Sequence, residues 1–175
     1  MTTVYYTATS LDGFIATPDH NLDWLLTREI DQAGPGGYEP FIAGVGALVI
    51  GANTYQWLLD HEPGNWGYQQ PAWVVTHRHD LPVREGADVR FTSAPIAEVH
   101  EELVAAAGGG IVWVVGGGDL AGQFADLGLL DEVRVAIAPV TLGAGRPLLP
   151  RRVELRLREV DGNGEFVVAS YELVR

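Results

Sequence analysis

The sequence predicts an α/β fold: a central, mixed but mostly parallel sheet that ends in an antiparallel hairpin. Three observations lead there. Short apolar segments rich in β-branched residues alternate with helical ones along most of the chain. Glycine-rich junctions join strand to helix. The chain closes on "VELRLREV" and "EFVVASYELV", which alternate apolar and polar residues around the turn "DGNG". Alternating elements followed by a run of strands make a sheet that is parallel in the middle and antiparallel at one edge.

The elements follow in order. "TTVYYTATS" reads as a buried first strand. "LDGFIATPDHNLDWLL" reads as a loop leading into a helix or turn, and "DQAGPGGY" is a cluster of breakers. "YEPFIAGVG" predicts a helix with Tyr38, Phe41, Ile42 and Val45 on one side, and "ALVIG" a short buried strand. Asn53 or Thr54 can cap a helix over "NTYQWLLDH". "PAWVVTHR" and "DVRFT" are strands. "SAPIAEVHEELVAAAGGG" is the clearest helix: Ser93 can cap it, Pro95 suits its first turn and the glycines end it. "GIVWVVG" is a strand, "GDLAGQFADLG" a helix and "DEVRVAIAPV" a strand.

The 175 residues suffice for one core, and no repeat or long linker divides them, so a single domain over residues 1–175 is expected. The net charge of −12 argues against a nucleic-acid partner, since such binding neutralises phosphates with many cations. All 11 basic side chains are arginine, which excludes a Schiff-base or P-loop lysine. The absence of cysteine removes disulfides, thiol nucleophiles and cysteine-based zinc sites. No apolar stretch is long enough to span a bilayer, and "MTTVYYTATS" lacks the features of a secretory leader. No membrane partner and a cytoplasmic location are the expectations.

Two triple-glycine runs flank one strand in "AAAGGGIVWVVGGGDLAGQF". Gly108–Gly110 follows an alanine-rich helical end and reads as a helix stop. Gly116–Gly118 lies between a strand ending at Val115 and a helix beginning near Asp119. Such a junction aims backbone N–H groups and a positive dipole end at one spot, which suits a phosphate; a tight turn that needs small residues is the alternative. "GANTY", Gly51–Tyr55, is a second junction of this kind, and two such helix starts facing each other would hold a diphosphate without lysine. "GGGDLA" also fits the dinucleotide fingerprint G-x-G-x-x-A. A Rossmann arrangement is nevertheless rejected, because Asp131 and Glu132 begin the next strand instead of ending it, and a hairpin follows.

"THRH", Thr76–His79, concentrates positive charge at a strand end, where an arginine and a histidine could meet a phosphate monoester; a solvated turn is the other reading. His77 and His79 lack a third ligand, so no metal is expected. Arg156 and Arg158 are expected to face solvent. Most of the five tryptophans belong to the core or a pocket wall by default, with Trp24 set apart because it follows a polar loop. Asp12, Asp23 and Asp31 lie near that loop, where aspartates usually cap or turn.

Taken in order, "SLDGFIA", "VIGANTY", "VVTHR", "VVGGGDLAGQF" and "DEVRVAIAPVTLGAGRPLLP" resemble the dihydrofolate reductase superfamily. The nearest branch is that of the C-terminal reductase domain of bifunctional riboflavin-biosynthesis deaminase/reductases and its stand-alone relatives. The resemblance implies a three-layer dihydrofolate reductase-like fold, NADPH as cofactor and a homodimer. It places Ala8 and Ile15 along the nicotinamide. Gly51, Ala52, Asn53 and Thr54 form one pyrophosphate junction, and Val115, Gly116, Gly117, Gly118 and Asp119 the other. Leu120 and Gln123 lie towards the adenosine half, and Thr76, His77 and Arg78 near the 2′-phosphate. Asp23, Trp24 and Tyr38 are the pocket candidates on the substrate side, with no catalytic residue assigned, and Asp12 is expected to fix the loop.

Two departures stand out. Ala52 replaces an arginine frequent in the family, which leaves NADH open as a cofactor, and Glu39 is the nearest carboxylate to the family's proton-relay position without aligning to it. The expected function is an NADPH-dependent reductase passing hydride to a C=N or C=O bond of a small pterin- or pyrimidine-like heterocycle. The alternatives are a non-catalytic nucleotide-binding module and a homodimeric scaffold. Deamination is excluded, because its zinc signature needs cysteine.

Overall fold

The computed structural model describes residues 1–62 and 64–175. In chain order the elements are β1 (Thr3–Ser10), β2 (Phe14–Ala16), α1 (Asp23–Leu26), α2 (Tyr38–Ile42), β3 (Val45–Gly51), α3 (Ala52–His61), β4 (Ala72–Val75), β5 (Val89–Thr92), α4 (Ile96–Ala107), β6 (Ile111–Gly116), α5 (Gly118–Asp126), β7 (Glu132–Ala138), β8 (Arg146–Pro147), β9 (Leu155–Asn163) and β10 (Phe166–Leu173). The main sheet runs β5-β4-β3-β6-β1-β7-β10-β9. Neighbours are parallel from β5 to β7, and β10 and β9 add antiparallel.

Two layers of helix explain why the central strands are apolar on both faces. Val4 and Tyr5 are adjacent in β1 and point to opposite faces, yet both are fully buried. Tyr5 belongs to the cluster under α4 and α5, with Val99, Leu103, Leu120 and Phe124. Val4 belongs to the cluster under α2 and α3, with Phe41, Leu48 and Tyr55. A third cluster, of Ala136, Ala138, Phe166 and Val168, packs beneath Trp24 and Leu25 of α1. Helix α4 shows how sequence spacing selects the core: Ile96, Val99, Leu103 and Ala107, three or four residues apart, form its buried stripe. Gly108 ends it with a left-handed φ of 58°.

Several local expectations are corrected. Helix α3 starts at Ala52 with Gly51 as its N-cap, so neither Asn53 nor Thr54 caps it. The N-cap of α4 is Pro95 and not Ser93. Val45 opens β3 rather than closing a helix. The hairpin turns at Gly164 and Glu165, because Asn163 pairs directly with Phe166 and leaves a two-residue loop. Gly164 takes a φ of 59° at the first loop position, where a tight hairpin turn favours glycine. The segment expected to be a loop contains β2, which pairs with β8 in a separate two-stranded sheet.

Candidate functional site

Strands β6 and β3 are neighbours, and each ends at a glycine junction that starts a helix. The helices leave on opposite faces of the sheet, since Tyr55 of α3 and Phe124 of α5 lie in different clusters. The two junctions nearly touch. A Cβ added at Gly51 would sit 3.3 Å from the Gly116 carbonyl oxygen and 3.4 Å from the Gly117 nitrogen. The Gly116–Gly117 peptide bond is cis, and Gly116 has a φ of 147°. Both N-caps, Gly51 and Gly117, are extended, and among the described residues no side chain caps either helix. Two sets of first-turn N–H groups and two positive dipole ends therefore converge at one crevice, the arrangement a diphosphate needs.

A cover lies beside this crevice. The side chain of Ile15, on β2, reaches within 3.8 Å of where a Gly117 Cβ would be. Ala8, on β1, packs with Trp24 against the third cluster. Ile15 thus lies at the glycine crevice, while Ala8 and Trp24 meet on the third cluster. Asp12 ties the cover down. Its carboxylate accepts hydrogen bonds from the Ser10 hydroxyl at 2.6 Å and from the backbone N–H groups of Leu142 at 3.0 Å and Gly143 at 2.7 Å. Led by the Ser10 bond, these hold its pKa down at about 2. Asp12 is a staple that stays ionised at neutral pH, and so a poor proton donor. Arg146 adds bonds to the Pro18 carbonyl at 3.2 Å and to His20 Nε2 at 2.9 Å.

The remaining candidates separate by environment. Asp23 is exposed and accepts a 3.0 Å bond from Asn21 Nδ2. Tyr38 stands one cluster away, its ring centroid 6.1 Å from that of Trp113. Burial raises the pKa of its hydroxyl. Leu120 is buried in the core beneath α5. Asp119, at the start of α5, accepts hydrogen bonds from Gln123 Nε2 and Arg151 Nη2, both at 3.0 Å, so its charge is partnered. Beyond β4, Thr76 is buried while His77 and Arg78 are exposed. Glu39 is exposed on α2. Among the described residues, no group of three or more acidic or histidine side chains could hold a metal.

Sequence reasoning missed a large open groove of about 1090 Å³. Tyr6, Phe41, Arg134, Arg158, Ser170 and Glu172 line it, together with Thr2, just before β1, and Glu132, the first residue of β7. It therefore lies towards the opposite end of the sheet from the glycine crevice, and size alone would point to the wrong end for a dinucleotide. Arg158 does face outward as expected, but it and Arg156 both grip Glu172, at 3.0 and 2.7 Å. Arg158 and Glu172 of the groove wall are thus already paired, and the spacing of polar residues in the sequence gave no sign of it.

Strand order, two helix layers and a crevice at the carboxyl ends of the central strands define a dihydrofolate reductase-like fold. Dihydrofolate reductase from Enterococcus faecalis, at 17% identity, superimposes with a TM-score of 0.59 over 99% of this chain and 97% of its own. The chain belongs to the RibD C-terminal domain family, whose pattern it matches over residues 2–164. It is 31% identical to the uncharacterised protein YwjB of Bacillus subtilis, covering 97% of this chain and 96% of that one. A Shewanella sp. PV-4 protein whose name assigns it to riboflavin biosynthesis superimposes with a TM-score of 0.84 at 25% identity, over the full length of both chains.

Proposed function

We propose that this chain is an NADPH-dependent reductase acting on a C=N or C=O bond of a small pterin- or pyrimidine-like heterocycle. One observation carries the reading: two helix starts without side-chain caps meet at adjacent strand ends, so close that a Cβ on Gly51 would lie 3.3 Å from the Gly116 carbonyl oxygen. That cradle offers backbone N–H groups to a pyrophosphate, and no side chain projects from its glycines. NADPH supplies the hydride when bound. The chain's own part is to bind, orient and shield. The first-turn N–H groups of α3 and α5 hold the phosphates, and Ala8 and Ile15 flank the nicotinamide. Trp24 walls the substrate side, and the Asp12 staple keeps the cover over the ring.

The test is a fluorescence titration with NADPH, followed by a screen of pterins and pyrimidines for NADPH oxidation. Gly117 has an ordinary φ of −83°, and among the described residues a Cβ there would meet only Ile15, at 3.8 Å, so Gly117→Leu fits the fold while filling the cradle. The variant should keep its circular dichroism and lose at least about tenfold in NADPH affinity, ~1.4 kcal/mol. Unchanged affinity, or no binding of NADPH or NADH to the unmodified chain, defeats the reading.

A second reading is a module that binds the dinucleotide and reduces nothing. Its support is the state of the nearby carboxylates: Asp12 is fully engaged and Asp23 is turned to Asn21. Tight binding without turnover on any substrate of the screen would select it. In either case we take the chain to pair with a second copy. Leu157, Val160 and Val167 share one face of β9 and β10 and are all exposed. Sedimentation equilibrium should find a dimer at micromolar concentration, and a monomer throughout would end that part.

A further inference from the structure

The carboxyl ends of β1, β6, β3 and β4 stand in a row. Three strand spacings of about 4.8 Å make the row roughly 14 Å long. A dinucleotide with its reactive ring at Ala8 and its pyrophosphate at the glycine pair extends its adenosine half over the end of β4. The turn there is short and ordered. Buried Thr76 accepts the Arg78 N–H through Oγ1 at 2.9 Å, which sets the direction of the arginine. The guanidinium is already in use: Nε donates to Asp80 Oδ1 and Nη2 to Asp80 Oδ2, both at 3.1 Å. This two-pronged geometry uses the same parallel donors that a phosphate monoester would take.

Resting on the dinucleotide reading above, we propose that Asp80 is a specificity-determining residue that competes with an adenosine 2′-phosphate for Arg78. A ribose 2′-hydroxyl makes no such demand. It leaves the Arg78–Asp80 pair intact, whereas a 2′-phosphate must displace the carboxylate and then sit beside its charge. The pair therefore narrows the preference for NADPH over NADH. Ala52, at the start of α3, adds no cation to tip the balance. The competition is open to adjustment because the pair is a surface one, with side chains 43% and 73% exposed. Removing an exposed carboxylate of this kind changes an equilibrium by up to about fivefold.

The experiment is a titration of NADPH and NADH into the full chain, read by nicotinamide and tryptophan fluorescence. The proteins are the unmodified chain, Asp80→Asn and Asp88→Asn. Asp88 pairs with Arg90 at 3.3 Å at the start of β5, the other end of the sheet, and so serves as a charge-matched control. Asp80→Asn should tighten NADPH about fivefold with NADH unchanged, and the gain should shrink in high salt. Asp88→Asn should leave the ratio where it was, and adding Arg78→Ala to Asp80→Asn should abolish the gain. If both cofactors bind and Asp80→Asn leaves their ratio unaltered, or if Asp88→Asn shifts it equally, the proposal is overturned while the dinucleotide reading stands. If neither cofactor binds any of the proteins, that reading falls and takes the proposal with it.

Discussion

Gly108–Gly110 and Gly116–Gly118 flank the same strand and look alike in the sequence, but they are glycine for different reasons. Gly108 and Gly109 have left-handed φ values of 58° and 93°, and among the described residues no atom lies within 4 Å of a Cβ added at either. They are there for conformation: the helix must stop and the chain must reverse. In the second run Gly117 and Gly118 have ordinary φ values, and at Gly118 space is the constraint. A Cβ at Gly118 would strike the carbonyl oxygens of Pro147 and Leu148, and one at Gly117 would enter the space beside Ile15. A turn can be repaired by a residue that tolerates the left-handed region. A close approach cannot, because its partners are backbone.

Substitutions in the two runs should therefore separate. The largest effect is expected from Gly118→Val, whose side chain has only main-chain atoms to push against. It should cost ~3 kcal/mol or more, seen as a lower urea midpoint. Gly108→Ala should cost ~1 kcal/mol through its left-handed φ and leave NADPH affinity untouched. A Gly108→Ala variant that bound NADPH poorly would break the distinction. The smallest effect belongs to the staple at the edge of the crevice. The pKa of Asp12 is lowered on folding from its ordinary 3.8 to about 2, so its contribution is present above about pH 4 and fades as pH falls towards 2. Stability of Asp12→Ala measured by urea at neutral pH and in acid should therefore approach that of the unmodified chain in acid. A gap that widened in acid would contradict the staple.

The main strands were legible because they are buried on both faces, so composition alone marks them. β1 and β3 need no periodicity to be seen. The glycine junctions were legible as strand–glycine–helix sequences, and their adjacency followed once β3 and β6 were paired. Other features were hidden for physical reasons. β2 and β8, three and two residues long, carry no pattern and exist only through each other. The strand β9 keeps alternation through Leu155 and Leu157 and then slips at Arg158, where the register shifts. The bulge returns Val160 to the leucine face, which simple alternation assigns to the other side. Asn53, Thr54 and Ser93 are good caps by type, but Gly51 and Pro95 take the cap positions. Arg78 read as a free cation because Asp80, two residues on, could not be seen to occupy its fork.

The bonds of Asp12 have a mechanical consequence. Leu11 donates to Val140 at 2.7 Å, Asp12 holds Leu142 and Gly143, and Leu148 donates to Gly13 at 2.9 Å. Two stretches more than a hundred residues apart in the chain are thereby fastened edge to edge. The entrance is a door with two leaves bolted together, and neither can swing alone. Any displacement of residues 11–13 must therefore carry residues 140–148 with it or break these bonds.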